Sequence, residues 1–66
     1  MRILLRLKDL REDRDLLQKD MAKLVNTTQT NYSKYELGKI NIPIDTLIKL
    51  ANFFGTSIDY MLRTDK

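Results

Sequence analysis

Neither cysteine nor histidine occurs among the 66 residues, and that double absence narrows the folds open to the chain more than any other feature. At this length a single hydrophobic core supplies only marginal stability. Small chains ordinarily add disulfides, a structural metal, a partner subunit or closely packed helices. The lack of thiols and imidazoles argues against the first two routes. Helix packing, with or without dimerisation, is left to stabilise the chain. The expectation is one domain over residues 1–66 with no cofactor, no metal and no room for a second domain.

The same inventory argues against an enzyme, because the chain lacks a metal-ligand cluster and a glycine-rich phosphate loop as well as His and Cys. Met1-Arg2 leads straight into a charged segment and no apolar run exceeds three residues. Neither a signal peptide nor a membrane span is expected. A reducing, cytoplasmic setting fits the lack of cysteine.

The net charge of +3 is mildly basic, which permits nucleic acid without demanding it. Its distribution is more informative. Residues 1–20 hold six basic and five acidic groups, 21–40 three and one, and 41–66 three of each. The basic excess therefore lies mostly in the middle third.

Ile3, Leu7 and Leu10 follow helical spacing, so Arg2 to Arg14 reads as an amphipathic first helix. Its mixed charges form a solvated face on which Lys8 can pair with Glu12 and Arg6 with Asp9. Gln18 to Val25 forms a short second helix with Met21, Ala22 and Val25 on one side. Asn26 ends it, being tolerant of the left-handed conformation. Thr28 caps a third helix from Gln29 to about Glu36, closed by Gly38. Pro43 starts a fourth helix through Leu47, Leu50, Ala51 and Phe54 until Gly55, and Ser57 caps a last short one holding Ile58, Met61 and Leu62. No run alternates as a strand should. The fold class is all-α, with five short helices.

Two short helices joined across Asn26-Thr27-Thr28 match the geometry in which the second enters the major groove of DNA while the first lies across the backbone. Here the chain resembles the phage-repressor and Cro type of helix-turn-helix proteins, the XRE-like regulators of bacteria and phages. The resemblance rests on Leu10-Arg11-Glu12, Gln18, Met21-Ala22, Thr27-Thr28-Gln29, Ser33-Lys34-Tyr35-Glu36, Gly38-Lys39, Pro43, Leu47 through Ala51, Gly55 and Ile58-Asp59-Tyr60. It runs over residues 6 to 62 without a shift in spacing and implies a compact lambda-repressor-like domain that binds double-stranded DNA as a transcriptional regulator, in particular a repressor.

The resemblance also implies roles. Gln29, Thr30 and Lys34 fall on base-reading positions. The chemistry agrees: Gln pairs bidentately with adenine, Thr hydrogen-bonds or offers its methyl to thymine, and Lys reaches guanine. Gln18, at the start of the second helix, falls on a phosphate-binding position, where free N–H groups and the helix dipole also favour an anion. Lys39, just past Gly38, and Thr28 join it at the backbone. Asn31 either meets a base or phosphate or supports the helix start. Ser33 has the same two readings, with back-bonding inside its own helix as the local one. Tyr32 is expected wedged beneath the third helix, and Tyr35 packed on the bundle with its hydroxyl toward the DNA backbone, within reach of a phosphate.

Three positions depart from the family pattern. Leu17 stands where a capping Ser or Thr is usual, at a cost of about 1 kcal/mol. Leu37 replaces a polar residue before Gly38, and Ile44 takes the usual cap position of the fourth helix, with Asp45 supplying only the favourable charge. The apolar ending around Tyr60 and Leu62 suggests a weak homodimer reading a palindromic operator, through a helix that the family commonly uses for dimerisation. The alternatives are that these side chains cover the first helix of the same chain, and, for function, a protein-interaction module or an autoregulating antitoxin of the same fold. No small-molecule ligand and no membrane partner are implied.

Overall fold

Helices account for most of residues 6–62, the part described by the computed structural model. They run in the order α1 (Leu7–Asp13), α2 (Gln18–Leu24), α3 (Gln29–Leu37), α4 (Ile44–Phe54) and α5 (Ile58–Met61). No strand occurs among the described residues. The expected part of the first helix before Arg6, with Arg2 and Ile3, lies outside them.

Leu7 from α1, Met21 and Ala22 from α2, Tyr32 and Tyr35 from α3, Leu47, Leu50, Ala51 and Phe54 from α4, and Met61 from α5 form one buried cluster. Side chains of the Leu and Phe kind contribute about 1.5–3 kcal/mol each when fully buried. Tyr32 is wholly enclosed beneath α3, as expected. Leu10, Leu16, Leu24, Val25, Ile42, Ile58 and Leu62 pack around the cluster's edge.

The turn between α2 and α3 is fixed locally. Asn26 adopts φ 58°, and the Thr27 N–H donates to the Ala22 carbonyl at 2.8 Å, closing the end of α2 in the way a left-handed residue permits. Thr28 Oγ1 accepts the Asn31 N–H at 3.1 Å and so caps α3. At the far end Gly38 takes φ 70°, a conformation that a side chain would strain, and the Lys39 N–H donates back to the Lys34 carbonyl at 3.0 Å. Lys39 is thereby held against the end of α3.

Some expectations are corrected. Neither the Lys8–Glu12 nor the Arg6–Asp9 pair forms. Arg11 instead leaves the solvated face and is buried against Glu36. Arg14 donates to the Phe53 and Phe54 carbonyls at 3.1 and 3.3 Å and so satisfies the end of α4. Pro43, not Ile44, is the N-cap of α4; Ile44 is its first helical residue, with no side-chain cap present. Asp15, at φ 55°, lets the chain turn sharply between α1 and α2, a bend with no glycine to announce it. No helix among the described residues is long and apolar enough to cross a membrane.

Candidate nucleic-acid interface

Along one side of α3 the side chains of Gln29, Thr30 and Lys34 are exposed. Ser33 is half-buried beside them. Together with Gln18, Leu37 and Lys39 they line one open groove of about 420 Å³. The α2–α3 turn thus brings the expected base-reading residues and two of the expected phosphate residues onto one surface. Within α3, spacing explains the alignment: positions 30, 33, 34 and 37 recur at the three- and four-residue intervals that share a helix face.

Several side chains expected at DNA are also tied into the protein. Thr28 Oγ1 accepts the Asn31 N–H at the α3 cap, which leaves its own O–H free to donate. Asn31 donates through Nδ2 to Thr27 Oγ1 at 2.9 Å and to Tyr35 Oη at 3.2 Å, which commits both amide protons inside the chain and leaves Oδ1 as its free group. The Tyr35 ring is buried; its hydroxyl accepts from Asn31 and keeps its own proton to donate. Gln18 donates through Nε2 to Glu36 Oε1 at 3.1 Å, fixing its amide and leaving one N–H free.

Glu36 is the hub beneath this surface. Arg11 Nε donates to its Oε2 at 2.7 Å and Arg11 Nη2 to its Oε1 at 3.2 Å, a two-pronged pairing favoured by the planar guanidinium. A third donation, from Arg11 Nη1 to the Leu16 carbonyl at 2.8 Å, anchors the arginine. Burial by itself pushes the Glu36 carboxyl up, but the hydrogen bonds of Arg11, the Tyr32 hydroxyl beside it, the Gln18 amide and the Arg11 charge together hold it below its ordinary 4.5. The bond to Glu36 likewise raises Arg11, against the effect of burial. Tyr32 Oη is buried without a partner in hydrogen-bond geometry. Burial first, then the Glu36 carboxylate, drives its phenol well above the usual tyrosine range.

Neither Arg11 nor Glu36 was assigned a role from the sequence. The available signal was Glu36 itself, the lone acid between residues 21 and 40. A carboxylate on a face expected to meet phosphate calls for a cation to cancel it. Arg11 does so from 25 positions away.

Tyr60 and Leu62 lie away from the groove residues in sequence. Tyr60 is 40% exposed, with the Arg6 guanidinium 4.7 Å over its ring, and Leu62 packs in part on the core of its own chain. Ile44 and Ile48 are also exposed on α4.

A helix-turn-helix family model matches residues 7–61. The chain belongs to the helix-turn-helix family. A curated relative in this family is the SPbeta prophage-derived HTH-type transcriptional regulator YonR of Bacillus subtilis, 40% identical over 58 residues that make up 88% of this chain and 54% of that protein. The chain spans about half the length of the curated relatives it matches. Among solved structures, a transcriptional regulator from Listeria innocua superposes with a TM-score of 0.88 at 25% identity, over 100% of this chain and 64% of that one. The P22 c2 repressor, solved in complex with synthetic operator 9T, superposes at 0.79 and 23% identity over 91% of each chain, a likeness of fold. The matched residues take in all five helices, with the α2–α3 pair that carries the groove among them.

Proposed function

We propose that this chain is a sequence-specific double-stranded DNA-binding domain of a transcriptional regulator, acting as a repressor by occupying an operator. In this reading α3 enters the major groove. Gln29, Thr30 and Lys34 meet base edges, with Ser33 and the Asn31 carbonyl beside them. Gln18, Thr28, Tyr35 and Lys39 contact phosphates on either side. The observation that carries the reading is the groove itself, where three exposed base-pairing side chains lie between an N-terminal glutamine and a lysine held at the end of α3. The regulator names of the relatives and the operator bound to the P22 c2 repressor support it. The buried Arg11 adds support, since it neutralises the one carboxylate under a surface that has to approach phosphate.

A single α3 touches few base pairs, so useful specificity calls for two copies related by a two-fold axis, with recognition helices about 34–36 Å apart. We place the contact around Tyr60 and the exposed part of Leu62, in a cytoplasmic protein whose dimer is weak off DNA. Selection of bound sequences from random duplex DNA tests the whole reading. A two-fold symmetric consensus with half-sites one helical turn apart is expected. A lone half-site would contradict the dimer, and no enrichment at all would contradict DNA reading.

A further inference from the structure

Leu37 is the single side chain of the groove that can make no hydrogen bond. It ends α3, is 64% exposed, and shares the groove with Gln18, Gln29, Thr30, Ser33, Lys34 and Lys39, all of them polar. Isolated exposed leucines are common on protein surfaces and need no explanation. This one sits at the junction of the proposed base-reading and phosphate-binding residues, between Lys34 and Lys39 in sequence, in a region that the reading above places against DNA. An apolar group there has to be buried against something apolar or it strips water from its charged neighbours for no gain.

Resting on the DNA-binding reading, we infer that Leu37 is an apolar DNA contact. DNA offers two surfaces of that chemistry within reach of a recognition helix, the C5-methyl of thymine in the major groove and the carbon face of a deoxyribose. A polar residue at this position would add a phosphate bond that weakens with salt. Leucine adds a contact that releases no counterion and is insensitive to salt.

The test titrates the intact chain, Leu37→Ala and Leu37→Met against the selected duplex over a range of salt. Further duplexes carry uracil in place of each thymine in turn, which removes one methyl group and nothing else. Leu37→Ala is expected to bind roughly tenfold more weakly, the loss of about two buried methylenes, with the salt slope unchanged. Leu37→Met, similar in volume and equally apolar, stays near the parent. If a thymine methyl is the partner, one uracil duplex weakens the parent and leaves Leu37→Ala unaffected. If a sugar is the partner, no uracil duplex couples to the substitution while the Leu37→Ala loss remains. Circular-dichroism melting shows that the variants fold. The inference is overturned if Leu37→Ala binds as the parent does while Gln29→Ala still loses affinity, which would leave Leu37 free for a protein partner. If the parent prefers no sequence, the inference falls together with the DNA-binding reading, a result distinct from the previous one.

Discussion

Between Arg11 and Glu36 two full charges sit largely out of water, joined by bonds of 2.7 and 3.2 Å. Such a pair contributes little net stability compared with apolar residues of the same volume, yet removing one partner strands a buried charge and costs about 3–5 kcal/mol. For a domain this small, with total stability of roughly 3–10 kcal/mol, Glu36→Ala approaches unfolding. Arg11→Met combined with Glu36→Leu should restore much of that loss in urea denaturation. Acid adds a second readout. Glu36 titrates below its ordinary 4.5 in the folded chain, so its contribution is complete above that value and is lost as pH falls through the lower, folded value. The parent should therefore lose stability below about pH 4.5 more steeply than the double variant. Equal acid slopes would show that the pair does not govern the acid limb.

Among the elements, α2 begins without a side-chain cap. Leu17 has no acceptor to offer, although its own N–H donates to Asp20 Oδ2 at 3.0 Å, the returning half of a capping box. Leu17 is 56% exposed, so exchanging it sacrifices little packing. Leu17→Ser completes the box and should add about 1 kcal/mol, raising the melting temperature by about 4–8 °C. An unchanged or lower melting temperature would mean that Asp20 already satisfies this end. Such local devices were legible in the sequence: Asn26 at the turn, Thr28 and Ser57 as caps, and Gly38 and Gly55 as stops all stand where residue chemistry puts them. The α3 face of the groove was legible too, because residues on one helix face are fixed by spacing, while Gln18 and Lys39 were placed beside it only by the family resemblance. What joins distant segments was not. The Arg11–Glu36 bond spans 25 residues and the Arg14 contacts with the end of α4 nearly 40, and spacing within a helix carries no information about either. Arg11 in particular reads as one more charge on a solvated face until α3 is packed against it.

We propose that the molecule, taken whole, separates two kinds of work across one surface: the face of α3 bears groups that distinguish bases, while Lys39, held beyond Gly38, supplies charge without discrimination. Parallel titrations of Gln29→Ala and Lys39→Ala on the selected operator and on random duplex test that division. Gln29→Ala should lose roughly 1–3 kcal/mol on the operator and almost nothing on random DNA. Lys39→Ala should weaken binding to both and lower the salt slope by about one ion. Equal losses for Gln29→Ala on operator and random duplex would show that α3 does not distinguish bases through Gln29.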